Sequence, residues 1–276
     1  MTYRTLMAHL ELGHSNANLL GIAGDLAQRF DAGVIGIAMC QPMQIIYSEG
    51  YVPADIIVQD REQRDKEVAT AEAEFRDVLQ ARVGRLEWRS AVTPDPLADH
   101  LAREARSADL IITGVDHNAS MFDHSRHVNI GDVVMHVGRP ILVVPAAASG
   151  VGFDSVMVGW KDTRETRRAI ADALPFLQKA AQVAVVEIVA EQELETARER
   201  LDDVVRWLGC HGVTAEPVAR TSSGEDAHQL HAIALERNAG VIVAGAYGHS
   251  RVREWVLGGV TRDLLLRAGR CALVSH

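Results

Sequence analysis

Residues 240–271, GVIVAGAYGHSRVREWVLGGVTRDLLLRAGRC, hold the pattern that decides the fold. Gly240 to Gly245 is a short apolar run closed by glycine, as a buried strand is. A glycine-spaced loop follows, then an amphipathic stretch opening at Thr261, then a second apolar run, Cys271 to Val274. Strand, loop, helix and strand in that order are the end of a β-α-β unit with parallel strands.

Outward from there the same pattern occurs twice. Sliding residues 95–145 onto 226–276 needs a constant offset of 131 and no gap. It superposes Asp95 on Asp226, His100 on His231, Ile111 on Ile242, Gly114 on Gly245, Asp132 on Asp263, Gly138 on Gly269 and Arg139 on Arg270. Glycines, strands and helices that stay in step over such a length mark an internal duplication. The first repeat has strands predicted at Thr5 to Leu10, Gly33 to Met39, Leu86 to Val92, Asp109 to Val115 and Ile141 to Val144. In the second they are predicted at Ser155 to Gly159, Val183 to Val189, Val213 to Val218, Gly240 to Gly245 and Cys271 to Val274. PAAASG at 145–150 reads as the linker, which gives domains of 1–146 and 152–276. The longest helix, about Asp60 to Ala81, alternates its charges as a solvated helix face does.

The chain of 276 residues is 47% hydrophobic and 24% charged, enough to build a core and too apolar for a disordered chain. A net charge of −9 argues against a general nucleic-acid binder, which needs a basic face for phosphates. The sequence contains no apolar run of membrane-spanning length, and its start lacks a signal-peptide pattern, so no membrane partner and a cytoplasmic location are expected. Cys40, Cys210 and Cys271 are too scattered for a disulfide framework and read as reduced, structural residues.

In an open parallel sheet a ligand sits beyond the carboxyl ends of the strands, so the loops after the first and fourth strands of each repeat are the places to search. After the fourth strand of the second repeat, Gly245, Gly248, Gly258 and Gly259 can turn backbone N–H groups inward toward an anion. His249, Ser250 and Arg251 add side-chain donors, and Thr261 a hydroxyl. The glycines alone leave two readings open: an anion cradle, or relief of crowding where a helix meets the sheet.

The spacing G-x2-G-x9-G made by Gly245, Gly248 and Gly258 resembles the nucleotide loop of the universal stress protein family. The likeness runs over the whole chain as two tandem domains. It implies an α/β fold of flavodoxin-like, adenine-nucleotide alpha-hydrolase-like type, each domain a five-stranded parallel sheet of order 3-2-1-4-5 with helices on both faces. It further implies pairing of the domains through their fifth strands and, in some branches, ATP or another adenine nucleotide as ligand. A homodimer is a further expectation from exposed strand edges. The chain departs from the family pattern at two points. Gly259 stands where the family has Ser or Thr, and Lys161 stands where its strand-1 loop carries aspartate, with Asp162 and Thr163 beside it. A cation there favours a phosphate and loses an acceptor for a ribose hydroxyl.

The first repeat is more degenerate. Gly114 is kept, but His117 replaces the second glycine and His127 the third, while Glu11 takes the strand-1 aspartate position. The first site is therefore expected to be closed to ATP. Asp116, His117, Asp123, His124 and His127 invite a metal reading, against which stands a plain polar loop, since their spacing fits no established zinc motif; no metal is assigned. His228 and His231 fall on a helix edge, and Trp160, Trp207 and Trp255 read as packing residues, with Trp160 and Trp255 flanking the cleft. No Gly-x-Ser-x-Gly, GxxxxGK[ST] or HExxH motif is present. The reading is a non-catalytic regulatory module that takes a nucleotide or small anionic ligand in its second repeat. A ligand-free interaction scaffold and a slow phosphohydrolase are the alternatives.

Overall fold

The structure is a computed structural model and describes residues 2–42, 54–114, 125–145, 152–246 and 270–276. The chain divides into two compact units, Arg4–Val137 and Met1–Tyr3 together with Gly138–His276. The repeat limits of 1–146 and 152–276 follow the sequence pattern instead, and they place the fifth strand of the first repeat differently.

The unit Arg4–Val137 runs β1 (Thr5–Leu10), α1 (Ala17–Phe30), β2 (Gly33–Cys40), α2 (Ala54–Leu79), β3 (Leu86–Val92), α3 (Leu97–Glu104), β4 (Leu110–Gly114) and α4 (Ile130–His136). Its parallel strands lie in the order β3-β2-β1-β4. Moving from β1 to β3 in one direction and returning to β4 puts α1 and α2 on one face and α3 and α4 on the other, because crossovers are right-handed. The helix contacts agree, α1 packing on α2 and α3 on α4. Leu19, Leu20, Ile22, Ala23, Leu26, Ala27 and Phe30 form the buried stripe of α1. Among the described side chains of α2 only Ala71, Phe75 and Leu79, spaced by four, are buried. The helix begins at Ala54, before the expected Asp60, and exposes Ile56, Ile57 and Val58; beyond them it is charged, with a shielded Arg64–Asp60 pair and a more exposed Arg76–Glu72 pair, each one turn apart.

The second unit contains β5 (Ile141–Val144), β6 (Ser155–Gly159), α5 (Arg164–Asp172), α6 (Leu174–Leu177), β7 (Gln182–Val189), α7 (Leu194–Cys210), β8 (Glu216–Thr221), α8 (Asp226–Glu236), β9 (Val241–Gly245) and β10 (Cys271–Ser275). Strands β8-β7-β6-β9-β10 are parallel and follow the order 3-2-1-4-5. At the end of this row β5 pairs antiparallel with β10, Leu142 opposite Leu273, so the fifth strands of the two repeats meet. On one face Met157, Ala184, Val186, Ile242, Ala244 and Ala272 pack under Leu230, Ile233 and Ala234 of α8. The next residue along each strand therefore points to the α5 and α7 face.

One strand differs from the expected Val213 to Val218. Gly212 takes a positive φ of 76°, and the Val213 N–H closes back on Leu208 O at 3.1 Å, so Val213 ends α7 as a buried apolar cap. Pairing with β7 begins only at Glu216, opposite Ala184. The three cysteines are free, Cys40 and Cys271 buried and Cys210 exposed.

Candidate functional site

At the carboxyl end of β6 the chain needs only four residues, Trp160 to Thr163, to reach α5. The Trp160 N–H donates to Val186 O at 2.7 Å, which carries the β6–β7 register one step past Gly159. Thr163 then caps α5, its hydroxyl accepting from Thr166 N–H. The short connection draws the first turn of α5 onto β9. A Cβ on Gly245 would lie 2.4 Å from Thr166 N and 2.6 Å from Glu165 C. Gly245 is thus required by a helix lying on its strand, and it brings the Trp160–Thr163 loop and the end of β9 together. Lys161 and Asp162 are exposed on that loop, with Asp162 3.6 Å from Arg167. Gly248, His249, Ser250, Arg251, Gly258, Gly259 and Thr261 lie outside the described residues.

Glu165, in the first turn of α5, is buried and paired with Arg164, whose side chain is exposed. Burial pushes its carboxyl pKa up. Hydrogen bonds from Arg164, its own backbone amide and Thr163 outweigh that and hold it below the ordinary carboxylate value. The partial positive charge of the α5 N-terminus is therefore met by a carboxylate of the chain itself.

The register places a second feature at the same level. Trp160 stands one step beyond Gly159, which pairs with Val186 on β7 and Ala244 on β9, so Trp160 is flanked by Glu187 and Gly245. Ser275 pairs with Gly245 from the other side. Ser275, Gly245, Trp160 and Glu187 therefore form one row across four strands on the α5 and α7 face, about 4.8 Å apart. Glu187 is 4% exposed, Trp160 9% and Ser275 2%. Arg200 Nη2 of α7 donates to Glu187 Oε1 at 2.8 Å, while Glu187 Oε2, Trp160 Nε1, Arg200 Nε and Ser275 Oγ are buried with no partner in the protein. Each such atom forgoes its solvation for about 1–3 kcal/mol.

In the first unit, His9 on β1 and Thr113 on β4 are register neighbours and hydrogen-bond at 3.0 Å. Burial first, and then the charge of His127, pulls the His9 pKa down to about 4. The Glu11 N–H donates to Asn16 Oδ1, and the Glu11 carboxylate lies 3.7 Å from where a Cβ of Gly114 would be. His127 is half-buried with its ring 6.0 Å from that of His14, and beside it Arg126 bonds both oxygens of Glu67 at 2.8 Å. His117 and the other residues of the metal reading, Asp116, Asp123 and His124, lie outside the described residues. Among the described residues no three His, Cys, Asp or Glu side chains group as metal ligands.

A cavity of about 410 Å³ opens at the opposite end of the second sheet, among Ser155, Gln182, Glu216 and Arg237 at the strand starts. Both guanidinium nitrogens of Arg237 bond Glu216 at 2.7 Å, so its one cation is already neutralised. No sequence-predicted residue lines it.

Four residues of the second unit's strand ends escaped the sequence reading: Glu165, Glu187, Arg200 and Ser275. Glu187 left a signal, a single charge inside VAVVEIV, where a strand with both faces covered has no place for one.

No protein-family model matches the sequence, and no curated protein does. Among solved structures, a universal stress protein from Archaeoglobus fulgidus is similar to this chain with a TM-score of 0.73 and 17% identity, covering 98% of this chain and 95% of the other. A functionally unknown protein from Pseudomonas aeruginosa is similar with a TM-score of 0.62 and 14% identity, over 99% and 92% of the two chains. The fold is shared along almost the whole length. Among the described residues no helix is long and apolar enough to cross a membrane.

Proposed function

We propose, on the premise of a tandem universal-stress-protein fold, that this protein is a non-catalytic regulatory module that binds a nucleotide or another phosphate-bearing small ligand at the second sheet. The observation that carries this reading is the Trp160–Thr163 loop. Lys161 is exposed two residues beyond the end of β6, the strand paired with β9, at the carboxyl edge where open α/β sheets take their ligands. Sequence adds the glycine and arginine residues that follow β9, Gly248, Arg251 and Gly258. The action is binding rather than turnover, and the adenine nucleotides are the first ligands to try.

Calorimetry on the full chain with ATP, ADP, AMP, cyclic AMP and inorganic phosphate tests the reading. Binding of at least one, weakened about tenfold by Lys161→Glu through loss of one charged phosphate contact, is expected. Absence of heat with all five removes it.

A second reading, a ligand-free interaction scaffold, is favoured by Glu165, whose carboxylate sits in the first turn of α5 where an anion would otherwise be drawn. The same titrations separate the two.

A further inference from the structure

We infer that the cavity of about 410 Å³ at the amino ends of β6, β7 and β8 is a ligand site of its own, for a small uncharged flat ring with an amide edge, a lactam or a carboxamide. It is independent of the phosphate-ligand reading, because it lies at the other end of the sheet. Met157, Ala184 and Glu216 are register partners on β6, β7 and β8, and Met157 and Ala184 pack toward α8, so Glu216 stands on that face too. Arg237, just past α8, bonds both Glu216 oxygens at 2.7 Å, and its carbonyl accepts from the Ser155 hydroxyl at 3.0 Å. Three strands and a helix end thus hold the walls in place. The first unit shows why space is left. There the matching row is Met7, Ile35 and Glu87, so Ile35 takes the place of Ala184. Arg85 takes that of Thr214, and its Cβ would lie 3.2 Å from a Cβ on Gly33, the counterpart of Gln182. The second unit has the smaller residue at both places.

The lining selects the ligand. Among the described residues that form it only Glu216 and Arg237 are charged, and they neutralise each other. A phosphate or carboxylate has to break that pair to reach its cation, and an ammonium to reach its carboxylate. An uncharged ligand leaves it intact. The exposed Gln182 carboxamide offers an N–H and a C=O side by side, whose complement is another amide edge, and Thr214 adds a hydroxyl. The other surfaces suit a flat ring: a thioether such as that of Met157 packs well on an aromatic ring, and a guanidinium plane such as that of Arg237 stacks on one.

The test is a titration of the full chain, labelled with ¹³C at the methionine methyls, with uracil, nicotinamide and nicotinate. The Met157 peak is identified by its loss in Met157→Leu. It is expected to move saturably with uracil or nicotinamide, at a Kd on the order of millimolar for molecules so small. Nicotinate, the same ring with a carboxylate, should bind about tenfold more weakly or worse. Gln182→Leu, at an exposed position, should weaken the neutral rings about tenfold through loss of the amide pairing. Ala184→Ile, which restores the first unit's residue, should abolish the shift. If its urea curve shows that it does not fold, Thr214→Arg at an exposed position fills the space instead. No movement of the Met157 peak with either neutral ring overturns the inference. So does nicotinate binding as tightly as nicotinamide, or binding that survives Gln182→Leu or the filled cavity unchanged. Phosphate binding at the carboxyl edge is read separately by the calorimetry above, so either proposal can fall without the other.

Discussion

In the unit Arg4–Val137 the buried polar groups at the ends of β1 and β4 answer each other, His9 to Thr113 at 3.0 Å, and the next row outward is Leu10, Ala38 and Gly114. In the second unit the same two levels are exchanged in character. Gly159 and Ala244 stand where His9 and Thr113 do, and the next row carries Trp160, Glu187 and Ser275 with open hydrogen-bonding atoms. Two copies of one strand-end design thus solve burial in opposite ways. The first pairs its polar groups internally and backs them with an apolar row. The second leaves them unmatched by the protein at a cost of about 1–3 kcal/mol per group.

The largest test of this contrast is at the glycines that end the fourth strands. A methyl group on Gly245 would meet backbone atoms of α5 at 2.4 and 2.6 Å, and backbone cannot swing aside as a side-chain tip can. At Gly114 the nearest atoms are side-chain ends at 3.7 and 3.9 Å, an ordinary contact. Gly245→Ala is expected to cost about 3 kcal/mol or to prevent folding of its unit, and Gly114→Ala less than about 1 kcal/mol, by urea denaturation. Equal costs would mean that α1 and α5 approach their sheets alike.

The His9–Thr113 pair gives the next effect. The native His9 stays neutral until about pH 4, whereas in the unfolded chain it takes up its proton near 6.5. Between those values the unfolded state binds more protons, so stability falls as pH drops from about 6.5 to about 4. Over the full window this amounts to about 3 kcal/mol. His9→Gln, which has no such proton to take up, should flatten that part of the stability profile measured by thermal or urea melts. A profile unchanged by the substitution would show that His9 is not held neutral and that the first unit is less tightly closed than its geometry implies.

The strands were readable because each is an apolar run bounded by glycine, proline or charge, and Thr5–Leu10, Leu86–Val92, Ile141–Val144 and Ser155–Gly159 have the limits that composition suggests. β8 was misplaced because Val213 is apolar for another reason, the closure of a helix on Gly212. The loop of Lys161, Asp162 and Thr163 was legible as the connection after the second repeat's first strand, since a loop between a strand and a helix is local. The cross-strand row could not. Trp160, Glu187, Gly245 and Ser275 are scattered over more than a hundred positions, and only the register of four strands puts them side by side. Thr163 shows the converse limit: its type suits a ligand contact, but its hydroxyl is engaged in capping α5.

The smallest effect is the most direct on the open row. Ser275 is 2% exposed and its hydroxyl has no partner in the protein. Replacing it with alanine removes a buried polar oxygen without taking a bond from any neighbour. Ser275→Ala should therefore stabilise the ligand-free protein by about 1 kcal/mol, seen as a rise in the urea midpoint with unchanged slope. A loss of stability in the free protein would mean that the hydroxyl is already satisfied, and the contrast between the two units would then rest on Trp160 and Glu187 alone.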